Sequence, residues 1–114
     1  MDVTQPLAVP TTATLDIADP TQLAVLGFLA RYKGSTAVEF HRDMRFFLGW
    51  CQQNDLAPLA ATRPHLELYI RWMETHCSAR TGKPWASSTI SRRWTTVRRF
   101  YTFAAWDELI AKDP

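Results

Sequence analysis

The stretch Ser87–Trp106 (SSTISRRWTTVRRFYTFAAW) carries four guanidinium groups, on Arg92, Arg93, Arg98 and Arg99, and no acid. A guanidinium holds its charge at all ordinary pH values and presents N–H donors in a fork that fits phosphate oxygens. Hydroxyls from Ser87, Ser88 and Thr89 open the same stretch. The chemistry on offer is recognition of a polyanion, not bond making. No Gly-rich phosphate loop, metal-ligand spacing or nucleophile–base pair stands out, so no independent enzymatic activity, metal or other cofactor is expected.

An element must hold those groups. Ile90, Trp94, Val97, Tyr101 and Ala104 recur at helical spacing, about 100° per residue, and predict one buried seam. Arg92 and Arg99 fall nearly opposite, with Ser88, Thr95 and Thr96 beside them, and Arg93 and Arg98 fall on the flanks. A second helix is predicted after Ser35 as N-cap, with Phe40, Met44, Phe47, Leu48 and Cys51 inward. Its outer side carries Arg42, Arg45 and Gly49, with His41 on one edge. Gly49 leaves room there for a close-approaching backbone, or is simply a tolerated gap. Asp43 lies between the two sides, where pairing with an arginine of the same domain is expected.

Two more helices complete the body. Asp19-Pro20 reads as an N-cap with Pro at the first helical position, opening a helix to Tyr32 with Leu23, Leu26, Leu29 and Tyr32 apolar and Gly34 as its stop. Gly27 within it costs about 1 kcal/mol relative to Ala, which close packing against a neighbour would justify. Asn54-Asp55 and Pro58 make a turn. Thr62 then caps a helix with the stripe Leu66, Tyr69, Ile70, Met73 and Cys77. That stripe leaves Leu68 and Trp72 outward, either as a contact surface or covered by the first helix or the leader. Residues 78–86 form a basic turn with Arg80 and Lys83. Trp85 either staples it to the core or faces outward.

Charge divides the 114 residues unevenly. The net charge is +2, yet residues 1–30 hold three acids and no base, and all 13 bases follow. Residues 1–18 lack periodicity and read as a disordered leader, leaving 19–114 as one all-α domain of four to five helices. No stretch approaches the roughly 20 apolar residues of a membrane span. No secretory signal is present, so the two cysteines, Cys51 and Cys77, are expected as reduced, buried thiols in the cytoplasm.

Three motifs bear a family resemblance. EFHRDMRFFLGWC, PLAATRPHLELYI and SSTISRRWTTVRRFYTFA followed by AKDP resemble, in order and spacing, the N-terminal core-binding domain of tyrosine recombinases of the Xer and phage-integrase type. The match covers roughly residues 20–114, with Phe40 where the family usually has Tyr and His65 where it usually has Asp. The resemblance implies a SAM-like bundle that grips one side of a double-stranded recombination core site. A separate catalytic domain, expected after the linker-like Asp113-Pro114, completes the clamp, and protomers assemble as tetramers on DNA in the prokaryotic nucleoid. None of the family's catalytic set can be placed in this chain, and Tyr101 projects toward the core. By resemblance the DNA-contacting positions are Thr36, His41, Arg42, Arg45, Ser88, Thr89, Arg92, Arg93 and Arg99. Ser87, Arg80 and Lys83 join them from the residue chemistry above. The competing expectation is a helical protein-interaction module with Leu68 and Trp72 as its contact patch.

Overall fold

The computed structural model describes residues 19–76 and 78–114, so the expectations for the leader and for Cys77 lie outside the described residues. Four helices pack into one bundle: α1 (Pro20–Leu29), α2 (Gly34–Gln53), α3 (Arg63–Thr75) and α4 (Ser87–Trp106), with a 3₁₀ turn at Pro58–Ala60. No helix among the described residues is long and apolar enough to cross a membrane.

The first helix starts as read. The Asp19 carboxylate accepts from the backbone N–H of Thr21 at 2.9 Å and of Gln22 at 3.3 Å. Its buried side is not the one its leucines mark: Ala24, Val25 and Phe28 are inside, and Leu23 is 45% exposed. Small residues win that face because α1 lies close against α4. A Cβ on Gly27 would stand 3.3 Å from Phe103 Cζ, a tight contact that the Phe103 ring would have to yield to by a few tenths of an ångström. Tyr32 is not helical. The chain turns after Leu29 and lays the Tyr32 ring against Phe28 and Phe40.

Helix α2 begins one residue before the expected Ser35 cap. Lys33 occupies the N-cap without a side-chain bond, and Gly34 carries φ +65°, a left-handed turn that glycine takes without steric cost. The helix ends on Asn54. Asp55 adopts φ 53°, and the Leu56 N–H reaches back to the Cys51 carbonyl at 2.9 Å, a Schellman closure.

Thr62 caps α3 as expected. His65 takes part, because its Nδ1 accepts from the Thr62 backbone N–H at 2.9 Å. That is the reach-back half of a capping box, made by an imidazole at the third helical position. Trp72 is not the outward residue the stripe implied. It is half-buried in an aromatic cluster with Phe46, Tyr69 and Trp85. Leu68 alone of that pair stays outside, at 61% exposure.

The core is aromatic-rich, as five Trp and six Phe foretell. Phe28, Phe47, Tyr69, Phe100 and Tyr101 are fully enclosed, with Met44, Leu48, Met73 and Val97 between them. The Tyr101 hydroxyl donates to the Pro58 carbonyl at 2.7 Å, which ties α4 to the 3₁₀ turn and uses the phenol inside the core.

Candidate nucleic-acid interface

Helices α2 and α4 meet along a seam whose contacts step in opposite directions. Phe40 meets Arg99, Asp43 meets Thr96 and Arg92, and Phe46 meets Arg93, so the two helices run antiparallel there. At the centre Asp43 is fully buried. One carboxylate oxygen accepts from Arg92 Nη2 at 3.0 Å and the other from Thr96 Oγ1 at 2.7 Å. The expected pairing of Asp43 with an arginine of the domain is therefore present. Thr96 was expected on the polar face and is instead buried, because Asp43 needs a second donor at that depth.

The four arginines of α4 have separate fates. Arg92 keeps 38% of its side chain exposed while bonded to Asp43. Arg93 lies with its guanidinium carbon 3.7 Å from the Phe46 ring centre and 4.9 Å from that of Trp85. Burial pushes its pKa below the ordinary arginine value, although a guanidinium stays charged. Among the described residues no hydrogen-bond acceptor meets its Nε or Nη1. Its face is thus spent inside the domain on cation–π contact. Arg98 and Arg99 are exposed, and Arg99 stands 5.8 Å from the Phe40 ring.

Comparison with known proteins gave no match, whether to family models, to curated proteins or to solved structures.

The chain's own geometry therefore carries the functional argument. On α2, Thr36, Arg42 and Arg45 are exposed and His41 is half-buried. Arg42 directly precedes the seam residue Asp43, whereas Arg45 sits further round the helix. A Cβ on Gly49 would meet nothing within 4 Å, so that edge is open. On α4, Ser87 and Ser88 are exposed and Thr89 is half-buried. The α4 N-cap is Ala86, whose side chain makes no capping bond. The Thr89 N–H turns to the Ala86 carbonyl at 3.0 Å, and no Ala86 side-chain acceptor competes for the positive end of the helix dipole.

Arg80 and Lys83 are exposed on the turn that leads into α4. That turn is closed by Gly82 N–H to Ser78 carbonyl and Ser78 N–H to Lys83 carbonyl, both 2.8 Å. Trp85 anchors it by packing on Phe46 and Trp72, which settles its role as a staple. The outer side is not purely cationic: Glu39 is exposed on α2, one turn before Asp43.

Arg31 escaped the sequence reading altogether. Its guanidinium donates to Asp107 at 2.8 Å and lies 4.4 Å from the Phe103 ring centre. Nothing local marks it, because the contact exists only once α1 docks on α4.

Proposed function

We propose that this chain is a DNA-binding module that grips duplex DNA with the outer sides of α2 and α4, as the core-binding half of a tyrosine-recombinase clamp. The observation that carries the reading is the shared seam: Arg92 and Arg99 meet α2 along a single line of contact between two antiparallel helices, and exposed Arg42 directly precedes the seam residue Asp43. The all-α bundle and the order of the three motifs support it as well. Arg42, Arg45, Arg80 and Lys83 neutralise phosphates, which positions the duplex without reading it. Ser87, Ser88 and Thr89 donate to a phosphate at the positive end of α4. Arg99 and the exposed end of Arg92 reach toward base edges, where arginine pairs with guanine. Strand cleavage belongs to a separate catalytic domain, and neighbouring protomers on the DNA complete the assembly.

The test is a salt series with a fluorescent duplex, comparing the unmodified chain with Arg42→Ala/Arg45→Ala/Arg99→Ala. Arg92 is left in place because removing it strands Asp43. The triple variant should lose affinity and lower the slope of log K against log salt by about 2 to 3, near one per phosphate contact. Unchanged affinity would defeat the assignment of this face. Absence of duplex binding even at low salt would favour a helical interaction module, whose exposed anchor would be Leu68.

A further inference from the structure

A recess of about 370 Å³ lies between the α1–α2 connection and the C-terminal half of α4, lined by Arg31, Tyr32, Arg99, Thr102, Phe103 and Trp106. It combines two guanidiniums with three aromatic rings and has no acid in its lining. Two carboxylates adjoin it and both have partners: Asp107 is paired with Arg31, and Asp113 accepts from the Thr102 hydroxyl at 3.2 Å. Arg31 is held by two contacts at once, Phe103 beneath its plane and Asp107 at its edge, and still keeps half of its side chain in solvent. A guanidinium fixed in this way is a preorganised stacking surface. Trp106 stands beside it at 81% exposure, the largest apolar ring that the described fold leaves in water. A neighbouring recess of about 230 Å³, lined by Thr95, Arg98, Arg99 and Thr102, continues the path along the outside of α4.

We infer that this recess binds an unpaired nucleotide of a single DNA strand. The base stacks on Trp106 and the Arg31 plane, its phosphate meets Arg99, which then leaves the duplex base edges to Arg92, and the strand continues past Arg98. A paired base keeps its faces inside the duplex stack and cannot use such rings, whereas an unpaired one offers both faces. Aromatic rings interleaved with cations along a groove are what a single strand requires and what a purely phosphate-reading face does not. The inference rests on the nucleic-acid reading of α4 and extends it to a strand opened beside the duplex.

The experiment measures anisotropy of fluorescein-labelled oligothymidylate, and separately of a duplex, with the full chain and with Trp106→Ala and Trp106→Phe. Thermal melting confirms that each variant is folded, which the exposure of Trp106 favours. Trp106→Ala should weaken single-strand binding about tenfold, the loss expected for one base–aromatic stack, while Trp106→Phe stays within about threefold. Duplex affinity should move by less than about twofold in both variants. Single-strand binding unaffected by Trp106→Ala, or an equal loss on both probes, would overturn the inference. Thymidine monophosphate competing as well as the oligonucleotide would overturn the assignment to a strand. Duplex binding with no Trp106 effect removes this inference alone. Single-strand binding with the expected Trp106 effect but no duplex binding removes the clamp reading alone.

Discussion

Arg92 Nη2 lies 3.0 Å from the Oδ1 atom of a fully buried Asp43, so an arginine that reads in sequence as a free surface cation is half committed to the fold. The pair joins α2 to α4 across the seam that also organises the proposed interface. Binding and stability are therefore entangled at Arg92 and separable at Arg99, which is exposed and has a ring contact but, among the described residues, no ion pair.

The two arginines should behave differently when truncated. Arg92→Ala leaves a buried carboxylate with only Thr96 as donor and should cost about 3 kcal/mol of stability. Arg99→Ala, at a surface position, should stay within about 0.5 kcal/mol. Adding Asp43→Ala to Arg92→Ala should recover part of the loss, with a coupling of about 1–3 kcal/mol in a double-mutant cycle. Urea unfolding reads all three. Equal stability of the two single variants would mean that the ion pair contributes nothing.

His65 should matter through α3 alone. Its Nδ1 accepts the Thr62 N–H, so His65→Ala should cost about 0.5–1 kcal/mol, and His65→Glu, which restores the usual capping-box residue, should cost less. Thermal melting of the two variants checks the order. An alanine variant as stable as the original would show that the imidazole does not cap.

Helix α4 ends with Glu108 at φ 58°, with its N–H on the Ala105 carbonyl and the Leu109 N–H on the Ala104 carbonyl. This is a Schellman closure whose left-handed position holds a residue with a Cβ. Glu108→Gly relieves that strain and should raise stability by up to about 1 kcal/mol. A fall in the melting temperature would show that the Glu108 side chain makes a compensating contact.

Stability should fall in alkali. Burial pushes the Cys51 thiol up to about 12, and burial likewise pushes the phenols of Tyr69 and Tyr101 above the ordinary tyrosine value. In the unfolded chain these groups release protons near their usual values, about 8.5 for Cys and 10 for Tyr. The native state then holds more protons than the unfolded one, so stability is intact below about pH 8 and declines as pH rises toward 12. Urea midpoints measured across that range should drop steadily, and Tyr101→Phe should flatten the decline. A midpoint that stays level to about pH 11 would mean that the three groups titrate freely in the native state.

Much of the architecture was readable because it rests on local rules. Apolar spacing placed α2, α3 and α4, Asp19-Pro20 marked the start of α1, and Asn54-Asp55 marked a turn. The apolar residues of α1 do not by themselves say which side is buried. Close packing of Gly27 on Phe103 instead selects the side bearing Ala24 and Val25. The Ser35 cap was misplaced because Gly34, with its positive φ, lets the helix start earlier.

The sequence by itself determined that four helical segments, three of them amphipathic, would form a helical body and that its bases would gather after residue 30, since periodicity and charge are properties of consecutive residues. Only the tertiary structure decided how each arginine is spent. Arg92 turns to Asp43, Arg93 to Phe46 and Trp85, and Arg31 to Phe103 and Asp107, while Arg42, Arg45, Arg98 and Arg99 remain open. The reason is physical. A helical wheel ranks directions within one helix, but a long cationic side chain takes its partner from whichever neighbouring element lies within its reach. The packing of α1, α2 and α4 against one another sets those neighbours.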